Sequence, residues 1–153
     1  MKASDVILYT DMDGTALTDW SLGPVVPERN LTAIRAFVAA GGLFSVASGR
    51  QAPNILRLFP DVPFRAPLVC GNGAVLYDPS AGTVVHRTCL PAAYLETSVS
   101  FFLSHPEVWI VAADEEQIWQ ITSGDPARDD RLNDWPRPRL SIQEYLSGEF
   151  VKV

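Results

Sequence analysis

Three short apolar runs, at residues 6–10, 43–47 and 68–70, each stop abruptly in a cluster of acidic, hydroxyl, amide or glycine residues, and stretches long enough for a helix separate them. No other feature narrows the fold so far. Residues 6–10 lack polar alternation, the pattern of a strand buried on both faces. Pro27 opens a helix in which Leu31, Ile34, Phe37 and Val38 fall near helical spacing, and Gly41 and Gly42 close it. A second helix is predicted over residues 52–59. The resulting β-α-β-α-β order predicts a Rossmann-like parallel sheet with right-handed crossovers, because parallel neighbours need a connection that returns across the sheet. The carboxyl ends of all three strands then share one edge, where open α/β sheets bind ligands. At that edge the sequence puts Asp11 and Asp13, Ser48 and Arg50, and Asn72.

From residue 88 the character changes. A helix over 91–104, a hairpin of 108–113 and 117–122, a polar loop over 124–139, a short helix over 142–146 and a last strand from Phe150 are predicted. The chain therefore divides into a core over 1–87 and a smaller α/β unit over 88–153. A length of 153 residues suits one domain with such an appendage, and 47% hydrophobic with 20% charged residues is the composition of a folded protein.

A net charge of -6 argues against nucleic acid or an anionic membrane as partner. Cys70 and Cys89 form neither a C-x-x-C pair nor a disulfide framework, so a reducing cytoplasm fits best. The first apolar run is too short for a signal peptide or a membrane span. Cys70 reads as a buried strand residue rather than a nucleophile, and His86 and His105 as surface residues. Trp109 and Trp119 are predicted to pack together in the hairpin, while Trp20 follows the first strand end and is placed over the mouth of the site.

Asp11 and Asp13, spaced by one residue and followed by Gly14 and Thr15, set two carboxylates in a turn whose glycine lets backbone approach an anion. Such a turn can also merely end a strand. The neighbours decide between these readings. Residues 9–15, YTDMDGT, resemble the first signature of the haloacid dehalogenase superfamily. Residues 46–50, VASGR, resemble its second, and residues 70–74, CGNGA, the Asn-Gly-Ala turn of its Cof-like branch. All three occur in family order over residues 5–78. The rest of the chain resembles, in outline, the start of that branch's α/β cap.

The resemblance implies a phosphatase for small phosphorylated substrates such as sugar phosphates. Asp11 would be the nucleophile that forms an aspartyl-phosphate, and Asp13 the acid and base. Mg2+ would be held by an Asp11 oxygen, the Asp13 backbone carbonyl, phosphate and waters. Ser48 would donate its hydroxyl to the phosphoryl group, with Gly14, Thr15 and Gly49 shaping the loops around it. Arg50, at the start of a helix, either faces an anion or is simply solvated. Asn72 is either a substrate contact or a turn residue tolerating positive φ.

The resemblance stops short of the family's lysine and distal acidic signatures. The only lysines are Lys2 and Lys152, and the chain reads as ending inside its cap. Residues 124–129, GDPARD, match a loose G-D-x-x-x-D form of the last signature or are a polar cap loop. Impaired activity is the expectation, with a non-catalytic phosphate-binding or interaction module as the alternative. Dinucleotide binding is disfavoured, because no G-x-G-x-x-G follows the first strand. With no strand of the last signature beside it, the first strand becomes an edge. The chain is then expected to self-associate there or to cover the edge with a segment of its own second unit.

Overall fold

The computed structural model describes residues 2–17, 25–132 and 137–153. Two compact units emerge, Met1–Arg87 and Thr88–Val153. Trp20 lies outside the described residues.

In the first unit, β1 (Ile7–Thr10) pairs in parallel with β2 (Leu43–Val46), with Tyr9 opposite Ser45. The helix between them, α1 (Glu28–Ala39), ends in a Schellman motif. There Gly42 N–H donates to the Phe37 carbonyl and Gly41 N–H to that of Val38. Gly41 has φ of +94°, which glycine adopts at little cost. At Gly42 a Cβ would come within 2.3 Å of the Phe37 ring.

The second helix, α2 (Ala52–Leu58), leads to β3 (Leu68–Cys70), which continues the parallel edge through a bridge from Ala47 to Val69. Two hydroxyls lock this arrangement. Tyr9 and Ser45 both donate to the Pro67 carbonyl, at 3.1 and 2.7 Å. Phe44, Phe59 and Phe64 pack together with centroids 5.8 to 6.0 Å apart, and Ile34, Val38, Ile55 and Leu68 are also buried.

Two features of this unit depart from the sequence pattern. First, β3 also begins an antiparallel sheet with β4 (Val75–Asp78) and β5 (Thr83–Arg87), a hairpin that periodicity at residues 43–70 does not announce. Its signal is the 78–82 turn, in which the Asp78 carboxylate accepts from the Ser80 and Ala81 backbone. Second, β1 is not buried on both faces: Ile7 is 56% exposed, Leu8 45% and Tyr9 43%. Its only ladder neighbour among the described residues is β2, so apolar β-formers are left at an open edge.

The second unit packs α3 (Ala92–Ser104) and α5 (Ile142–Ser147) around a sheet of β6 (Ile110–Ala113), β7 (Ile118–Thr122) and β8 (Arg139–Ser141). Leu95, Val99, Phe102, Ile110, Ile121, Tyr145 and Phe150 form its core, and the Tyr145 hydroxyl lies 2.9 Å from that of Ser98. The segment predicted as a polar loop contains α4 (Pro126–Asp129), and its last residue, Arg139, opens β8. The strand predicted from Phe150 reduces to one bridge, Ala113 with Lys152.

The two hairpin tryptophans do not meet as predicted. Trp119 packs on the core and donates to Asp114, whereas Trp109 donates to the Arg128 carbonyl. His105 is half-buried and stacks on Phe101 at 4.0 Å, while His86 is exposed.

Candidate active site

The end of β1 passes into a turn in which Asp13 (φ -74°, ψ 112°) and Gly14 (φ 82°, ψ 0°) have type II geometry. That second position demands positive φ, which is why glycine follows the acidic pair. Met12 is fully buried beneath the turn, and Asp11, Asp13, Gly14 and Thr15 are exposed. The loop is tied back by Ala16 N–H to the Asp11 carbonyl at 3.3 Å and by Leu17 N–H to that of Met12 at 2.9 Å. Thr10 Oγ1 donates to the Asp11 carbonyl at 2.9 Å, and Asn30 Nδ2, from α1, donates to the Ala16 carbonyl at 3.2 Å. Sequence reasoning gives no role to Thr10, which it places only in the first signature, or to Asn30, because nothing in their local pattern separates them from an ordinary strand and helix residue.

The second and third strand ends are joined to each other and to the first. Ser48 is buried, and its Oγ accepts from the Arg50 N–H at 3.3 Å. The Ser48 carbonyl accepts from Asn72 N–H, and the Arg50 carbonyl from Gly71 N–H, both at 3.2 Å. Asn72 has φ of 59°, between two glycines of positive φ, so the exposed turn presents its side chain from a left-handed backbone. Gly49 is half-buried between Ser48 and Arg50.

The Arg50 side chain then crosses to the first loop. Its Nε donates to Asp13 Oδ2 at 3.0 Å and its Nη2 to Oδ1 at 2.7 Å. Hydrogen bonding from this guanidinium, opposed by desolvation and helped by its charge, holds the Asp13 carboxyl below the usual carboxylate range. Asp13, Ser48, Arg50 and Asn72 thus form one connected set. The Asp11 carboxylate makes no hydrogen bond or ion pair among the described residues and projects from the exposed turn.

A carboxylate and a main-chain carbonyl are the hard oxygen donors that magnesium takes in small number, so Asp11 and Asp13 fit part of such a site. No cluster of three or more His, Cys, Asp or Glu side chains suited to a metal occurs among the described residues. The GDPARD segment is occupied with its own turn. Asp125 caps α4 through Ala127 N–H, and Asp129 accepts from Ser123 N–H, Ser123 Oγ and Gly124 N–H. No helix among the described residues is long and apolar enough to cross a membrane.

Residues 8–147 match the family model of the haloacid dehalogenase-like hydrolases. The chain is 30% identical over 121 residues to the 5-amino-6-(5-phospho-D-ribitylamino)uracil phosphatase YbjI of Escherichia coli K12, covering 79% of this chain and 43% of that protein. The fold is similar to the HAD subclass IIB sugar phosphatase BT4131, with a TM-score of 0.72 at 20% identity over 95% of this chain and 56% of that one. It is also similar to the phosphatase BT1666 of Bacteroides thetaiotaomicron, with a TM-score of 0.72 at 20% identity over 93% and 52%. The chain therefore spans about half the length of the relatives it matches.

Proposed function

Because this chain belongs to the haloacid dehalogenase-like hydrolase family and shares the fold of its subclass IIB, Cof-like members, we propose that it carries phosphatase machinery for small phosphorylated metabolites, sugar phosphates among them. The observation that carries the reading is the joining of three strand-end loops, Arg50 to Asp13, Asn72 to Ser48 and Gly71 to Arg50. An acidic pair from the first strand end, a hydroxyl and a guanidinium from the second and an amide from the third are the parts that phosphoryl transfer on a small substrate needs in one crevice.

In this reading an Asp11 oxygen attacks phosphorus as the bond to the alcohol oxygen breaks, leaving an aspartyl-phosphate. Asp13 gives a proton to the departing alkoxide and then takes one from the water that attacks phosphorus and frees Asp11. Ser48 and Arg50 hold phosphoryl oxygens, Gly14, Thr15 and Gly49 shape the loops, and Asn72 meets the rest of the substrate. Magnesium, held through the Asp11 carboxylate and the Asp13 carbonyl, would offset the charge that gathers on the transferring group.

Turnover by this chain alone is expected to be low. Its only lysines are Lys2 and Lys152, and no further acid joins the loops among the described residues. The pairing of Asp13 with Arg50 favours the alternative, a phosphate-binding module without turnover, whenever that pair stays closed. Unpaired Cys70 and Cys89 suit a reducing, cytoplasmic setting.

The test is release of p-nitrophenol from p-nitrophenyl phosphate by the purified chain, with and without magnesium and with Asp11→Asn as control. Magnesium-dependent release that Asp11→Asn abolishes supports the enzyme. Release that survives the substitution removes Asp11 from its role, and no release beside saturable phosphate binding selects the module.

A further inference from the structure

Arg50 has a fixed root and a long reach. Its N–H is held on Ser48 Oγ and its carbonyl on Gly71 N–H, so the main chain under it is anchored within its own loop and to the third. The guanidinium beyond that root spans to Asp13, 37 residues earlier, through two hydrogen bonds. This pair is only partly shielded from water: the side chains are 20% and 38% exposed. Ion pairs open to water contribute little and separate easily. A guanidinium fork fits two oxygens of a phosphoryl group as well as two oxygens of a carboxylate. Exchange between such partners keeps both hydrogen bonds, so the charge of the incoming group decides it.

We propose that Arg50 is a transferable arm: without ligand it occupies the Asp13 carboxylate, and a phosphoryl group entering the three loops takes the guanidinium over, so that Asp13 and ligand compete for one cation. The inference rests on the reading of these loops as a phosphate site and adds a rule to it. The site is self-occluded when empty, and ligand binding itself releases Asp13 from its partner. A dianion would otherwise meet Asp11 and Asp13 together, and the transfer places positive charge between ligand and carboxylates at the moment of binding. Ligands with less negative charge at the loops draw the arm less strongly, so the exchange also selects for a phosphoryl end.

The experiment is a double-substitution cycle read by titration calorimetry with inorganic phosphate on the full chain, using the unsubstituted protein, Asp13→Asn, Arg50→Gln and the double variant. If Arg50 is shared, Asp13→Asn both removes a repelling charge and releases the arm. Its gain in phosphate affinity is then larger with Arg50 present than in the Arg50→Gln background, by about threefold, the scale of one exposed ion pair. If Arg50 never reaches the ligand, the two substitutions act additively and the gain is the same in both backgrounds. That additivity overturns the arm while leaving the phosphate site standing. Absence of saturable phosphate binding in all four proteins overturns the phosphate reading and the arm with it. The Arg50 Nε–H resonance in the unsubstituted chain gives a check that needs no folding of variants. A shift that saturates with phosphate supports transfer, and a resonance that stays in place while phosphate binds refutes it.

Discussion

Arg50 grips Asp13 through two parallel hydrogen bonds, Nε to Oδ2 at 3.0 Å and Nη2 to Oδ1 at 2.7 Å, and this bond couples the first and second strand ends. Because Arg50 lowers the Asp13 carboxyl below its ordinary value of 3.8, the folded state binds that proton less readily than the unfolded state. The pair's contribution is fully present above pH 3.8 and is lost as pH falls through the lower folded value. Urea midpoints of the unsubstituted chain and Arg50→Gln should therefore differ at pH 7 and converge in acid. A difference that stays constant down to pH 2 would show that the pair contributes nothing through Asp13 ionisation.

At Gly14 a Cβ would meet nothing within 4 Å, so the backbone alone opposes substitution at φ of +82°. Gly14→Ala should cost about 1 kcal/mol, the penalty of a left-handed residue, and Gly14→Asn less, because asparagine tolerates that region. Chemical denaturation of both variants checks the order. Equal costs would mean that the turn relaxes out of type II geometry.

Burial pushes the Cys70 thiol up to about 11, against an ordinary value of 9.0. The folded chain then keeps a proton that the unfolded chain releases, so stability is complete below pH 9 and falls as pH rises toward 11. Cys70→Ala should remove this alkaline slope even though it lowers stability at neutral pH by leaving a small void. A slope unchanged by the substitution would assign alkaline sensitivity to other groups.

The open edge of β1, with Ile7, Leu8 and Tyr9 exposed, leads us to propose pairing with a second copy of the chain. Light scattering during gel filtration should report a mass above the monomer, and Leu8→Lys should weaken association by about tenfold or more, since a charge guards an edge at little cost to an exposed position. A monomer at every concentration would end this idea, as would free hydrogen exchange at residues 7–10 in an associated species.

The chemistry of the candidate site is more legible in the sequence than its wiring. Residues 11–14, 48–50 and 71–73 are local turns, and local turns announce themselves through glycine, acid and amide spacing. The Asp13–Arg50 bond joins residues 37 positions apart and depends on side-chain rotamers, which no periodicity encodes. The open edge of β1 is legible in the missing last signature, but the exposure of its faces is not: an unbroken apolar run shows what a strand can bury, not whether anything covers it. The β4–β5 hairpin is lost to a reading that carries the β-α alternation past the 78–82 turn, although its Asp, Pro, Ser and Gly residues are turn formers. GDPARD shows the converse error, in which a motif can be matched by letters whose carboxylates are already spent on backbone amides.

The Pro67 carbonyl, shared by the Tyr9 and Ser45 hydroxyls, works as a gauge for the height of the third strand. A one-residue slip of β3 would carry its end by about 3.3 Å and turn each side chain to the other face. Asn72 would then overshoot the Ser48 carbonyl, and Gly71 that of Arg50, so the loops could no longer close on one another. Alignment of the three loops is thus calibrated several residues upstream of them, by two hydroxyls that belong to none of the loops.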